Sequence, residues 1–585
     1  MSVRKLRWTD RCSDETRIQA LEQEAGLNAL TARLLAGRGI LSKDAQSFLK
    51  PRLKDYLPDP FALADMEKAC SVILDAMQAK QKITVFADYD VDGGTSAAQL
   101  IRWARAFGVE FGLYVPDRVA EGYGPSAQAF EHLKATGTDL VITVDCGAAA
   151  HAPLQAAHAM GLPVVVLDHH LMEGGLPPAL AIVNPNRQDD TSGLGNLAAA
   201  GVTFMTLVGL NREAKKRSLE NLPNLLEYLG FAALGTVCDV VSLTGLNRAI
   251  VGQGLKVLSK RAHPGIEALA DVAGAQGALT TYHAGFVLGP RINAGGRIGR
   301  ADMGAELLST EDVQLAYAHA AELDRVNEDR KKLQDQILEE SLIEAYKREN
   351  DPVIIVAMEG WHPGVIGIIA GRLKERFDKP AIVIGLPNLA STSSGTDETL
   401  GKGSGRSIKG VNLGAAIVRA KETGLLLSGG GHEMAGGLSI DPEKLEAFRT
   451  FMCDSLKDDV EAARLNLSLS VDAWLSPPAA NFSLCDIIKS VGPFGAGNPQ
   501  PVFAFSEMRV TYAERLRGGH VRCGFENSGG ERLAGICFRA DETGLSDILL
   551  RPDAPRVDIA GRIREDNWKG RRKVDFQLID IRLSA

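Results

Sequence analysis

The feature that most constrains this chain is a recurrence between residues 83 and 170: a five-residue apolar run that stops on an aspartate. ITVFA ends at Asp88, LVITV at Asp145 and PVVVL at Asp168. Helical patterns at 96–107, 126–135 and 149–160, and one more strand-like run at 111–115, fill the intervals. Strand, crossover helix, strand is the rhythm of a parallel, doubly wound α/β sheet. Ligands of such sheets bind beyond the carboxyl ends of the strands. There the three runs deliver Asp88, Asp90 and Asp92 of DYDVDGG, then Asp145, then Asp168, His169 and His170 of DHH. Asp239, in LGTVCDVVSL, adds a carboxylate at the end of a helix.

So many acids at one sheet edge repel one another unless cations neutralise them. Carboxylates with imidazole suit divalent cations, and a carboxylate-dominated set favours Mn²⁺ or Mg²⁺. Two such ions, with a water acidified between them, are the usual equipment for hydrolysing phosphoesters. Each piece alone is ordinary: an aspartate after a strand is often a helix cap, and Gly93-Gly94 alone could mark a turn. Their joint placement at successive strand ends carries the inference.

The rest of the chain reads as follows. Residues 1–50 are expected to be helical, and the proline-punctuated stretch 51–66 an extended lead-in. Residues 200–260 are mostly helical, and GPRINAGGRIGRAD (289–302) reads as a polar loop. A long charged helix is expected over about 311–349, as a bridge between domains. PVIIVAM opens a second α/β segment, with a helix at 365–377 and a strand at 381–384. The Ser/Thr/Gly-rich stretch 391–407 reads as a flexible loop. From about 466, short strands with turns suggest a small all-β barrel.

With 585 residues there is room for about three or four domains. The net charge of −8 argues weakly against a nucleic-acid partner, but a whole-molecule sum can hide a local basic groove. None of the eight cysteines forms a C-x-x-C pair, so neither a zinc site nor a redox motif is signalled. No signal-peptide or membrane-spanning run is present, and the expectation is a cytoplasmic protein with no membrane partner.

DYDVDGG (88–94), VDCG (144–147), DHH (168–170) and CDVVSLTGLNR (238–248) resemble the successive motifs of the DHH phosphoesterases. GWHPGVIGIIAGRL (360–373), GSGRS (403–407) and SGGGHEMAGG (428–437) are similar to the DHH-associated domain that follows in that superfamily. PDRVAEGYG (116–124), GPRINAGGRIGRAD and GPFGAGNPQPVF (492–503) narrow the likeness to its single-strand-specific 5′→3′ DNA exonucleases. The resemblance implies an N-terminal helical extension (1–50), a parallel-sheet DHH catalytic domain (51–310) and a connecting helix (311–350). A second α/β, DHH-associated domain (351–460) and an oligonucleotide-binding (OB) barrel (466–585) follow. It also implies two divalent ions, Mn²⁺ or Mg²⁺, held by Asp88, Asp90, Asp145, His169 and Asp239. Asp92 and Asp168 would stand behind these ligands. His170 would face the scissile phosphate, so that His170, Asp145 and His169 form the catalytic set. Many members carry a histidine two residues before the first Asp of DYD, where this chain has Phe86.

For the polyanion, Arg291, Arg297 and Arg300 stand among glycines that let backbone approach phosphate. Arg406, with Ser404 and Ser407, is a candidate clamp for a terminal phosphate. His362 and His432 are candidate backbone contacts, and Tyr123 a candidate base-stacking residue. In the barrel, Arg515, Arg517, His520 and Arg522, with Trp568, Lys569, Arg571 and Arg572, are candidates for a strand-binding face. The expected activity is hydrolysis of single-stranded DNA to 5′-mononucleotides in recombination and repair, by a monomer working with a helicase and a single-strand-binding protein. A pyrophosphatase of the same superfamily would not need residues 466–585, and a non-catalytic binding relative would not keep the acids intact.

Overall fold

The computed structural model describes residues 2–117, 121–172, 174–387, 399–551, 553, 555–566 and 572–584. The chain forms two compact units, one of residues 43–329 with 490–500, the other of residues 1–42, 330–489 and 501–585.

In the first unit, five parallel strands form one sheet in the order Gly112–Tyr114, Ile83–Ala87, Leu140–Val144, Val164–Leu167, Ala181–Val183. Every residue of Ile83–Ala87 and Leu140–Val144 is buried, as expected of strands covered on both faces. Val85, Ile142 and Leu167 pack on one face with Trp103 and Phe204, and Phe86, Val141 and Val166 pack on the other with Phe130 and Leu154. After Ile83–Ala87 the chain adds Gly112–Tyr114 on one side, then returns to add Leu140–Val144 on the other. The crevice at this reversal is where such folds bind ligands, and Asp88 and Asp145 stand at its lip. Residues 200–260 are mostly helical, as expected, in Ala199–Lys216, Leu229–Cys238 and Gly245–Leu258.

Two local expectations are corrected in this unit. The stretch 289–302 is not a loop: Gly289–Ile298 is a helix. Its glycines, which lower helix propensity, are close-approach sites instead; a Cβ on Gly296 would lie 2.8 Å from the Tyr89 carbonyl oxygen. The lead-in 51–66 also contains the short helix Leu53–Tyr56 rather than running extended throughout.

In the second unit, a five-stranded sheet runs Ser428–His432, Ala435–Ile440, Gly401–Arg406, Ala381–Leu386, Ile354–Glu359. Here GKGSGR is a strand rather than part of a flexible loop, while residues 391–398 of that stretch lie outside the described residues. The reason is steric. Cβ atoms on Gly403 and Gly405 would come within 2.7 Å of the Leu438 and Leu413 side chains, so a larger residue on the covered face would have to displace them. SGGGHEMAGG is likewise a hairpin of the same sheet.

The C-terminal strands close on themselves. Phe503–Leu516 pairs with His520–Glu526 on one side and Val557–Asp566 on the other, and Arg532–Cys537 and Lys573–Leu583 complete the ring. Phe503–Leu516 is a single 14-residue strand. The N-terminal segment is not wholly helical, because Arg7–Asp10 is a strand paired in parallel with Ser468–Val471. Asp472, just beyond, accepts from Arg11 Nε at 3.1 Å, Arg38 Nη1 at 3.0 Å and the Val502 N–H at 2.9 Å. The long helix is Val313–Tyr346, within the expected span. No described helix is long and apolar enough to cross a membrane.

Candidate metal centre

The DYDVDGG turn converts a strand into a helix in three residues. Asp90 caps Val91–Arg105, its Oδ1 accepting from the Asp92 and Gly93 N–H groups at 2.8 and 3.1 Å. Gly93 is required by close approach, since a Cβ there would sit 2.4 Å from the Asp88 carbonyl oxygen. Asp92 is 1% exposed and serves a second helix. Its Oδ2 accepts from Ala199 N at 2.7 Å and its Oδ1 from Ala200 N at 2.9 Å, at the start of Ala199–Lys216.

Asp145 follows its strand in left-handed backbone (φ 60°), a conformation that aspartate tolerates better than most residues. Asp168 is the organiser of the DHH loop. Its Oδ1 accepts from His169 N (2.7 Å), His170 N (3.2 Å) and His170 Nδ1 (2.7 Å), and its Oδ2 from Ala148 N (2.9 Å).

These elements converge. His169 Nε2 lies 3.3 Å from Asp145 Oδ1, 3.6 Å from Asp239 Oδ2 and 3.9 Å from Asp92 Oδ2. This nitrogen is buried and makes no hydrogen bond. Ligand atoms of three overlapping sets lie within 4.8 Å of one another: Asp88, Asp90 and Asp145; Asp145, His169 and His170; Asp92, His169 and Asp239. Burial raises the Asp92 and Asp145 carboxyls, and the charges of neighbouring aspartates add to it. Burial, then the charge of Asp90, pushes Asp239 up to about 7. Burial and the neighbouring His170 charge lower His169. Asp168 goes the other way: burial would raise it, but the His170 hydrogen bond and charge and the Ala148 N–H hold it at about 2. His170 is correspondingly raised to about 9, its burial outweighed by Asp168 and the surrounding acids. A cluster of carboxyls whose charge is disfavoured, ringed around a bare imidazole nitrogen, is the donor set that a pair of divalent cations fits.

Of the other candidates, Tyr123 stands at the same centre. Its hydroxyl donates to the Asp145 carbonyl (3.2 Å) and lies 3.2 Å from His170 Nε2. Arg291 and Arg297 lie on Gly289–Ile298, which meets the DYD turn through Asn293, whose Oδ1 accepts from Val91 N at 3.1 Å. Arg291 spends its Nε on Asp324 (2.8 Å) and its Nη1 on the Val287 carbonyl (2.7 Å). Arg300 pairs with Asp302 and Glu306. Phe86 is fully buried and stacks on Tyr114 with ring centroids 5.2 Å apart, so the position offers core packing and no ligand atom.

His362, Ser404, Arg406 and His432 belong to the other unit and share a neighbourhood there. His362 caps Pro363–Phe377, its Nδ1 accepting from Gly364 N at 3.0 Å. Arg406 Nη1 donates to Ser404 Oγ at 3.2 Å, and Gly367 of that helix leaves the space both side chains occupy. Arg406 and His432 sit level in the sheet, each in register with Ala435. Ser407 is buried and donates to the Val411 carbonyl at 2.7 Å. In the barrel, Arg515, Arg522 and Arg572 are paired with Asp541, Glu514 and Glu565, which reduces the positive face expected of them. Trp568, Lys569 and Arg571 lie outside the described residues.

Sequence reasoning missed the braces. Asn186 Nδ2 donates to the His169 carbonyl (2.5 Å) and Asn184 Nδ2 to the His170 carbonyl (2.9 Å). The NPN at 184–186, following one more apolar run, was their available mark. It also missed Asn293 and Gly235, where a Cβ would lie 2.5 Å from Asp92 Oδ1.

Comparison with known proteins adds to this geometry. Residues 82–236 match the DHH family N-terminal domain, 350–458 the DHHA1 domain and 471–580 the RecJ OB domain. The single-stranded-DNA-specific exonuclease RecJ of Dickeya dadantii is 34% identical over 94% of this chain and 95% of its own length. That of Escherichia coli is 33% identical over 95% and 96%. The crystal structure of RecJ in complex with Mn²⁺ from Thermus thermophilus superposes with a TM-score of 0.79 at 28% identity, covering 99% of this chain and 81% of that one.

Proposed function

The chain belongs to the RecJ family of DHH phosphoesterases and is a metal-dependent, single-stranded-DNA-specific exonuclease; we propose that it degrades the strand in the 5′→3′ direction and releases 5′-mononucleotides. The observation that carries the reading is the crowding of Asp88, Asp90, Asp145 and His169 Nε2 at the carboxyl ends of adjacent strands, with Asp239 brought in from a helix end.

Those five residues would hold two divalent ions, Mn²⁺ or Mg²⁺. Bound there, the ions supply charge neutralisation at the phosphate and an acidified water for attack on phosphorus. The chain's own groups do the rest. Asp168 fixes the DHH loop through two backbone N–H groups and holds the His170 ring at Nδ1. His170, its ring held at Nδ1 by that contact, is assigned to a phosphoryl oxygen, where it stabilises charge that grows there. Tyr123 steadies the same ring from the Asp145 side. Asp92 keeps the start of Ala199–Lys216 against the ligand cluster.

Arg406, with Ser404, His362 and His432, is assigned to the 5′ end and the adjoining backbone, Arg406 holding the terminal phosphate. Arg291 and Arg297 are assigned to phosphates near the centre. Residues 51–310 form the catalytic domain in this reading, 311–350 the connecting helix, 351–460 the DHH-associated domain and 466–585 the OB domain, after a 1–50 extension. The enzyme acts as a cytoplasmic monomer in recombination and repair, on strands opened by a helicase and coated by a single-strand-binding protein.

The test is digestion of end-labelled oligonucleotides, single- and double-stranded, with Mn²⁺, Mg²⁺ or EDTA. Metal-dependent loss from the 5′ end of single strands, abolished by Asp145→Ala, is the expected result. Hydrolysis of pyrophosphate or dinucleotides without any attack on longer DNA would overturn it. Arg406→Ala should impair 5′-phosphorylated strands most, and equal loss on 5′-hydroxyl ends would remove that assignment.

A further inference from the structure

Ahead of the Gly289–Ile298 helix the chain makes a single π-helical turn, His283–Leu288. Such turns recur at functional sites. Tyr282, just before the turn, and Phe286, four residues on and within it, share one helix face, with ring centroids 5.6 Å apart and planes 23° from parallel. Both rings stand in solvent, 62% and 73% exposed. A scattered surface leucine needs no explanation, but two stacked, exposed aromatics form a patch that does.

The turn is anchored beside the metal centre. Cys238 Sγ donates to the Ala284 carbonyl at 3.4 Å, and Asp239 is the next residue. Gly289 permits this contact, because a Cβ there would lie 2.6 Å from the same sulfur. Val240, immediately after Asp239, is 69% exposed. The turn that carries the aromatic pair is thus tied by its backbone to the residue before Asp239, and the helix that continues from it carries Arg291 and Arg297.

We infer that Tyr282 and Phe286 form a stacking site for one unpaired nucleobase of the DNA strand whose phosphate is at the metal centre. The inference rests on the reading of that centre as a DNA-cleaving site. A flat aromatic face accepts any of the four bases, which suits an enzyme that degrades without regard to sequence. A base inside a duplex has both faces occupied by its neighbours, so the aromatic pair favours single strands. A protein partner is the competing occupant, but the tie of this turn to the residue before Asp239 matches a nucleotide better.

The test uses the full-length protein with Ca²⁺, which occupies carboxylate sites, in place of Mn²⁺ or Mg²⁺, and 5′-phosphorylated oligonucleotides carrying 2-aminopurine at one position at a time. Stacking quenches this base, so the wild type should quench strongly at one position near the 5′ end. Tyr282→Ala/Phe286→Ala should lose that quench and weaken binding about 5- to 150-fold, the range for one aromatic–base stack. Tyr282→Phe/Phe286→Tyr should restore both. An unchanged quench and affinity in the double alanine variant would overturn the inference. The reading it rests on is tested separately: if wild type and Asp145→Ala show the same activity with Mn²⁺ on the same strands, the centre is not the cleavage site and the aromatic pair loses its substrate.

Discussion

Arg248 ends the CDVVSLTGLNR motif yet lies outside the metal centre, and its replacement gives the sharpest energetic test of the fold. It is 1% exposed, and its guanidinium is spent on backbone carbonyls. Nε donates to Phe48 O at 2.9 Å, Nη2 to Val491 O at 2.9 Å and Gly492 O at 2.6 Å, and Nη1 to Pro493 O at 3.4 Å. The group also lies 3.6 Å from the centre of the Phe48 ring. Asn498, itself buried, donates to two of the same acceptors, Val491 O at 3.0 Å and Pro493 O at 2.8 Å. Arg248→Met keeps the stem volume and removes hydrogen bonds worth about 1.5–3 kcal/mol each with a charged donor. Escaping the burial of a cation returns several kcal/mol, so the net loss should be about 3 kcal/mol. Asn498→Ala alone should cost about 1–2 kcal/mol, because the guanidinium still serves both shared carbonyls. With both gone, Val491 O and Pro493 O lose these donors together, and the double variant should exceed the sum of the singles by about 1–2 kcal/mol. The assay is native-state hydrogen exchange over residues 490–500, which reports local opening without assuming that the whole chain unfolds in one step. Additivity within about 0.5 kcal/mol would refute the shared-acceptor argument.

Val240 holds left-handed backbone (φ 61°), which is costly for a β-branched residue, and Val240→Gly should gain about 1 kcal/mol in a denaturant titration. His263 caps Pro264–Val272 with its Nδ1 and is held neutral, burial and then Arg102 and Arg105 lowering it to about 3. Between pH 6.5 and 3 the unfolded chain takes up a proton that the folded chain refuses. Over that window the wild type should lose about 1.4 kcal/mol per pH unit relative to His263→Asn, and parallel stability profiles would contradict this. Gly235→Ala would press a methyl onto Asp92 and Thr95, and should reduce the rise in melting temperature produced by Mn²⁺. Chelation should lower the wild-type melting temperature, and restoring metal to about 100 times its dissociation constant should return about 2.7 kcal/mol for each ion bound, measured by calorimetry.

The centre was legible because its acids follow buried parallel strands, where the apolar run and its abrupt end are both written in sequence. Asp88, Asp145 and Asp168 need no tertiary knowledge to be found. What escaped was set by contacts across the fold. Gly295 and Gly296 argue for a loop by propensity, but Tyr89 and the Arg300 carbonyl crowd them and the segment is helical. GKGSGR does alternate with period two, glycine inward and Lys402, Ser404 and Arg406 outward, but the pattern is hard to see when the inward residue has no side chain. The asparagine braces escaped because each acts on a backbone group distant from its own place in the chain.

The pairing of Arg7–Asp10 with Ser468–Val471 sets the order in which this protein can be built. A ribosome adding roughly 5–20 residues per second finishes the first strand and then works for about 20 to 90 seconds before the second is made. Meanwhile the emerging N-terminal strand has an open edge with no mate, and closing so long a loop costs about 5 kcal/mol in chain entropy. The stretch 490–500, which completes the unit of the metal centre, is also made late. Neither unit is therefore whole until most of the chain has left the ribosome, and a nascent chain stalled before residue 468 carries every acid of the centre on an unfinished scaffold.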